Sequence, residues 1–220
     1  MLLKCITTAT LLTLTISYNA FSQDSNRDAH EDARLEPHIG FKGGLSIATM
    51  VKSSDQSSIS STPLYAFNGG AVILLPLGKV IALQPEVLFS QKGYRASGTG
   101  LAGDYDYRRV SNFLDIPLLL RINLSNELGI VAGPQYSYLL KTNTTFKSGS
   151  VSYQQTVDND NSNFTKNIFG GVLGLDVNLG DNLFLYGRYT IDFKNNNGDG
   201  TSSTPAYKNQ VFQVGLGFLL

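Results

Sequence analysis

From His38 onward, apolar and polar residues alternate with a period of two in eight runs. The first sets Ile39, Phe41, Leu45 and Ile47 against Gly40, Lys42, Gly44 and Ser46. The second carries Tyr65, Phe67, Ala71, Ile73, Leu75 and Leu77; the third Ile81, Leu83, Val87 and Phe89. The fourth is the most regular, with Leu114, Ile116, Leu118, Leu120, Ile122 and Leu124 in one phase and Asp115, Arg121 and Asn123 in the other. Leu128, Ile130, Ala132, Tyr136, Tyr138 and Leu140 make the fifth, and Phe169, Leu173, Leu175, Val177 and Leu179 the sixth. The seventh holds Leu183, Leu185, Tyr189, Ile191 and Phe193, the eighth Phe212, Val214, Leu216, Phe218 and Leu220. Successive side chains of a strand point to opposite faces, so this period predicts eight strands and no helices.

The connections choose the architecture. Those after runs two, four and six are tight: Gly78-Lys79, Ser125-Asn126 and Gly180-Asp181-Asn182. Those after runs one, three, five and seven, at about 50–63, 95–110, 141–163 and 194–208, read as long loops rich in Ser, Thr, Asn and Gly. Short turns at one end and long connections at the other predict an all-β, eight-stranded antiparallel up-and-down transmembrane β-barrel. An even strand number puts both termini at the short-turn end.

Charge phase separates this from a soluble eight-stranded barrel. Lys42, Glu86, Lys92, Asp115, Arg121, Asp176, Arg188 and Asp192 all fall in the phase opposite to the bulky apolar series. A soluble barrel keeps its apolar face inside and needs a wetter exterior than eight charges provide. A barrel in lipid has an apolar exterior and a lumen that can hold paired charges. Four cations and four anions cancel.

Composition agrees. Charged residues are 15% of the 220, against about a quarter in soluble domains. Seventeen basic and seventeen acidic side chains leave no excess to attract nucleic acid. Residues 1–22 read as a secretory signal, with Lys4, an apolar and Thr-rich stretch over 6–16, and the small-residue pattern Ala20-Phe21-Ser22. Cys5 is the single cysteine and lies in that segment, so the mature chain, 23–220, has no disulfide. Residues 23–36 form a polar, mostly acidic leader, expected to be flexible, and 37–220 the barrel domain. No apolar run of about 18 residues is available for a spanning helix.

Four stretches then carry a family resemblance: Gly40-Phe41-Lys42-Gly43-Gly44-Leu45-Ser46, residues 83–93 (LQPEVLFSQKG), residues 114–121 (LDIPLLLR) and residues 133–140 (GPQYSYLL). In order and spacing they resemble the PorT-like outer-membrane β-barrel domain family of Bacteroidota. The resemblance implies an outer-membrane barrel and, through its C-terminal strand, handling by the barrel-assembly machinery. It specifies no activity. Asp115 stands where such domains usually carry Glu, and the chain ends Phe218-Leu219-Leu220 rather than on an aromatic residue.

No catalytic, metal or cofactor constellation emerges. His30 and His38 sit in the leader and at the short-turn start of run one, away from the rim where a Ser-His site for lipid chemistry would have to lie. Residues 158–161 and 195–200 echo calcium loops without the bidentate Glu. The paired glycines at 43–44, 69–70 and 170–171 do not lie between a strand and a helix, so they read as room in a narrow lumen rather than as phosphate loops. Pro85, Pro117 and Pro134 each remove a ladder donor and predict bulges or a locally opened ladder.

Two classes of function remain. One is a non-enzymatic structural or partner-binding envelope protein with a side-chain-filled lumen; the other is a narrow pore or an accessory to secretion. Candidate partners are the outer-membrane lipid and a protein outside or in the periplasm. For the lumen, one register of runs three and four sets Glu86 opposite Arg121 and Lys92 opposite Asp115. The tight turn after run six places Asp176 diagonal to Arg188. On the long connections, Tyr105, Tyr107, Arg108, Arg109, Phe146 and Tyr153 are the candidate contacts, mixing aromatic area with adaptable polar groups.

Overall fold

The eight runs close on themselves. The computed structural model describes residues 36–52, 61–100, 103–148, 151–158, 165–195 and 207–220. The signal, all of the leader but Glu36, and most of the two Asn/Asp-rich stretches lie outside them.

Ten strands are present: β1 (His38–Lys52), β2 (Ser61–Thr62), β3 (Leu64–Pro76), β4 (Ile81–Gly100), β5 (Gly103–Asn123), β6 (Leu128–Ser148), β7 (Val151–Asp158), β8 (Asn167–Asn178), β9 (Leu183–Asp192) and β10 (Tyr207–Leu219). Neighbouring strands are antiparallel. The order β4-β3-β1-β10-β9-β8-β6-β5 is closed by β4 against β5, giving a ring of eight; β2 and β7 only extend it, on β4 and β6. Closure matters because hydrocarbon offers no hydrogen-bonding alternative for an open sheet edge.

Register fixes the geometry. Following directly opposed residues from Tyr138 leads to Leu114, Phe89, Gly69, Gly43, Leu216, Leu185, Val177 and finally Leu128. One circuit therefore returns to β6 ten residues away, and such a stagger on eight strands tilts them by roughly 40° from the barrel axis.

The outward phase is the apolar series. Ile39, Phe41, Leu45, Ile73, Val87, Leu118, Leu173, Leu185 and Leu216 all point away from the lumen and are exposed. Towards the hairpin end the series turns aromatic, with Tyr65, Phe67, Phe169, Tyr189 and Phe193, and rings pack across strands (Phe67–Phe89 at 5.6 Å, Tyr136–Phe169 at 5.4 Å). Aromatic residues favour the level where hydrocarbon meets headgroups. Beyond Phe89 and Leu114 the outward positions become polar, beginning with the Gln91–Asn112 hydrogen bond of 3.1 Å.

The prolines open the ladder without shifting it. Pairing between β4 and β5 skips from Pro85–Leu118 to Leu88–Asp115, and between β3 and β4 from Val72–Glu86 to Leu75–Leu83, with register kept. The bulge lies elsewhere, at Leu140 of β6, opposite Asn112 and Phe113 of β5.

Two expectations need correction. Residues 95–110 and 141–163 are not long loops for most of their length. β4 and β5 continue to Gly100 and Gly103, and β6 and β7 run to Ser148 and from Val151, as two β-hairpins standing beyond the apolar band. Their Thr and Tyr content suits a strand, but both faces are polar enough to blur a hydrophobic period.

Candidate functional site

Inside the ring, charged and polar side chains share the space with apolar ones such as Phe113, Leu119 and Val131. Lys42, Glu86, Lys92, Asp115, Arg121, Asp176, Arg188 and Asp192 are all buried in the lumen. They form two groups. In the first, Lys42 Nζ lies 2.6 Å from Glu86 Oε2, Glu86 Oε1 is 3.8 Å from Arg188 Nη2, Arg188 Nη1 is 2.6 Å from Asp176 Oδ1, and Asp176 Oδ2 is 3.4 Å from Arg121 Nη1. In the second, Lys92 Nζ sits between Asp115 (3.1 Å) and Asp192 (3.7 Å). Three cations with two anions, and one cation with two anions, cancel over the lumen as a whole. Removing one member breaks a buried ion-pair contact and weakens the compensation of the charges it touched.

The expected pairing of Glu86 with Arg121 does not occur. Ala82 opposes Arg121, and Leu88 opposes Asp115, a register four residues away from the expected one. Glu86 instead reaches across β3 to Lys42 on β1, while Arg121 reaches across β6 to Asp176 on β8. In so narrow a ring, long side chains meet across the lumen, and direct opposition is not required. Lys92 and Asp115 still meet, diagonally. On β8 and β9, Asn178 opposes Phe184 and Gly174 opposes Arg188, so Asp176 and Arg188 are the diagonal pair that the tight turn predicts.

Neutral polar residues hydrogen-bond these charges. Gln84 Nε2 donates to Glu86 Oε1 (2.8 Å), Lys92 Nζ to Ser137 Oγ (3.0 Å) and Asn209 Nδ2 to Asp192 Oδ2 (2.8 Å). Arg121 donates through Nε to Asn123 Oδ1 (2.8 Å) and through Nη2 to Asn178 Oδ1 (3.1 Å). Tyr186 Oη donates to Asn68 Oδ1 (2.6 Å), and the Lys42 ammonium lies 4.3 Å from its ring centroid. Apart from Asn123, placed by the period in the charged phase, none of these amides is a candidate from sequence; their one shared signal is that they occupy the inward phase.

Glycine makes the space. A Cβ on Gly44 or Gly215 would lie 2.7 or 2.6 Å from Tyr186 Oη, and one on Gly217 would strike the Phe184 ring. One on Gly129 would meet Arg121 Nε at 2.8 Å. Outward-facing Gly187, by contrast, has nothing within 4 Å of such a carbon.

Above the lumen charges, Met50, Tyr94, Ala96 and Tyr207 form a buried apolar cluster against which Tyr107 packs. Tyr94 stacks on Tyr107 (5.7 Å) and meets Tyr207 edge-on (5.1 Å). Burial raises the phenol pKa of Tyr94 and of Tyr207, because the ionised form would lose its hydration. At Gly93 the chain takes φ 147°, where a Cβ would clash with the Arg109 carbonyl.

The six candidate contacts are divided by the hairpins. Ala96, Tyr107, Phe146 and Tyr153 are directly opposed in turn across β4, β5, β6 and β7 and so share the inner face. Tyr105 stacks beside Phe146 at 6.3 Å. Arg109 is on that face but is buried, only 4% exposed, beside Tyr94 and Tyr107. Arg108 is on the opposite, outer face, directly across from Arg95; Arg95 pairs with Asp106 at 3.2 Å in the open, where such pairs contribute little. Among the described residues no cluster of three or more His, Cys, Asp or Glu could hold a metal ion.

Comparison with known proteins follows the same lines. The protein-family profile described as "Outer membrane protein beta-barrel domain" matches residues 21–198. A search of the curated proteins gave no match. Among solved structures, the chain is similar to Ail, the attachment invasion locus protein of Yersinia pestis (12% identity over 84% of this chain and 99% of that one, TM-score 0.47). It is also similar to Neisserial surface protein A (10%, 82% and 96%, TM-score 0.48) and to CarO of Acinetobacter baumannii (13%, 85% and 99%, TM-score 0.45). With a closed eight-stranded ring, an apolar exterior and a profile match over most of its length, the chain belongs to the outer membrane protein β-barrel domain family and is a protein of the outer membrane.

Proposed function

We propose that this is a non-enzymatic envelope protein, of the PorT-like kind, that presents its β4–β5 and β6–β7 hairpins outside the cell to a binding partner. Residues 1–22 direct export and are removed, and the short turns face the periplasm. The observation that carries the reading is the contrast between lumen and hairpins. The lumen positions are occupied by Tyr186, Phe184, Arg188, Arg121 and Lys92, all buried, and eight strands enclose an interior only wide enough for side chains. The lumen is therefore plugged and the barrel serves as an anchor. The hairpins stand beyond the apolar band, as partner-binding elements must. The C-terminal strand, β10, is the segment read by the barrel-assembly machinery.

The test is complementation of a deletion strain. Replacing residues 145–156 with a two-residue Gly-Ser link should leave a barrel that still inserts and still migrates differently before and after boiling, but should abolish complementation. Full complementation would place the function in the barrel wall or at the short-turn end. In planar bilayers the wild-type chain should show no porin-like conductance.

A further inference from the structure

The two faces of the hairpin sheet are chemically opposed. The outer face of β4, β5 and β6 is charged, with Arg95 across from Arg108 and Asp106 across from Lys147. On the inner face, among residues with described side chains, no Asp, Glu or Lys occurs, and its Arg109 is buried. What that face presents is rings. They run from Tyr94, 4% exposed at the barrel mouth and stacked on partly buried Tyr107, to the Tyr105–Phe146 stack and Tyr153 at 56% exposure, which opposes Phe146. Gly98 lies under Tyr105, and a Cβ there would come within 2.8 Å of its hydroxyl. Partly buried Thr144 and Ser148 put hydroxyl groups beside the rings on β6.

We infer that the inner face of the hairpin sheet, along Tyr107, Phe146 and Tyr153, is a binding platform for a neutral saccharide chain. This rests on the reading that the hairpins hold the functional site, and it names the ligand class. Charge is the first argument. A surface whose ionic groups are all turned away or buried offers no counter-charge to an ionic ligand, and desolvating an ion against it would be unfavourable. Shape is the second. Directly opposed residues of the row stand one strand spacing apart, about 4.8 Å, close to the repeat of successive sugar rings in an extended glycan. The apolar C–H face of a pyranose lies flat on an aromatic ring, while its edge hydroxyl groups require exchangeable donors and acceptors, supplied by the phenol and Thr/Ser hydroxyls. The place is the third, since mouths of β-barrels commonly house ligand sites lined by aromatics and a few polar groups. A peptide adding as a strand would use a sheet edge, not this face.

The experiment uses the full mature chain in nanodiscs on an array of immobilised neutral and sulfated glycans, followed by saturation-transfer NMR with the best neutral oligosaccharide. Binding to one or more neutral glycans is expected. Tyr153→Ala and Phe146→Ala should each weaken it about tenfold, Tyr153→Phe should keep it within about threefold, and Arg108→Ala should leave it unchanged. Gel mobility before and after boiling reports that each variant folds. Binding to no glycan, binding only to sulfated glycans, or neutral-glycan binding that survives both alanine variants would overturn the inference. If F146A/Y153A complements the deletion strain while the hairpin-shortened chain does not, the saccharide assignment fails and the hairpin reading stands. If the shortened chain itself complements, the hairpin reading fails.

Discussion

Arg188 on β9 and Asp176 on β8 meet at 2.6 Å in the buried lumen, and the same guanidinium reaches Glu86 at 3.8 Å with its other terminal nitrogen. One cation thus stands between two carboxylates that would otherwise share a low-dielectric space. Arg188→Met should destabilise the barrel by about 3–5 kcal/mol, because it removes the 2.6 Å partner of buried Asp176, leaving that carboxylate only Arg121 at 3.4 Å, and takes a second cation from Glu86. Arg121→Met should cost less, since Asp176 keeps Arg188. Urea unfolding midpoints in lipid vesicles measure both, and equal effects would contradict the shared role of Arg188.

The lipid face makes a second prediction. Leu118 is outward, 48% exposed and central in the apolar series of β5. Leu118→Arg should cost about 2–4 kcal/mol near the bilayer midplane. Lys147→Leu, on the hairpin beyond the band, should leave the barrel stability in the same assay unchanged.

Glycine substitutions should divide by phase. Gly44→Val would force the Tyr186 hydroxyl and the neighbouring β10 backbone aside, and should reduce the folded fraction. Gly187→Ala, facing outward into open space, should be tolerated. The fraction that shifts mobility on boiling checks both.

Alkaline pH should weaken the cap above the lumen. Folding favours the neutral phenols of Tyr94 and Tyr207 by burial, so their folded pKa lies above the ordinary value near 10. Their contribution to stability is fully present below pH 10 and is lost as pH rises through the raised folded value. Tyrosinate absorbance should therefore show these two groups ionising later in the folded barrel than in urea. In Tyr94→Phe the late fraction should shrink; an unchanged titration would refute the assignment to Tyr94.

How much of this was legible in the sequence depends on the turns. The eight-strand period and the inward phase of the charges follow from alternation, and the outer-membrane assignment from these together with the short and long connections. Register does not. Where a tight turn was visible, at Gly180-Asp181-Asn182, the Asp176–Arg188 diagonal follows directly. Between β4 and β5 the strands run on until Gly100 opposes Gly103, leaving only residues 101–102 between them. The register is the one that pairs Gly100 with Gly103, and matching Glu86 to Arg121 by charge misplaced it by four residues. Charge is a poor guide in this lumen because side chains as long as Lys42 and Arg121 bridge over an intervening strand. The hairpins themselves were hidden for a related reason: outside the lipid neither face must be apolar, so the period that marks a membrane strand fades while the pairing continues. The grouping of Tyr107, Phe146 and Tyr153 on one face needs that pairing, and no linear pattern contains it.

The central claim is a closed barrel crossing the outer membrane with its hairpins outside and its short turns in the periplasm. Single-cysteine labelling tests it most directly, because the lone native cysteine, Cys5, falls within the segment proposed to be removed. In intact cells a membrane-impermeant maleimide should label Ser97→Cys and Lys147→Cys. It should label Asn126→Cys and Asp181→Cys only after the outer membrane is permeabilised, and Leu118→Cys in neither condition. Labelling of the turn positions in intact cells, with the hairpin positions protected, would contradict the account.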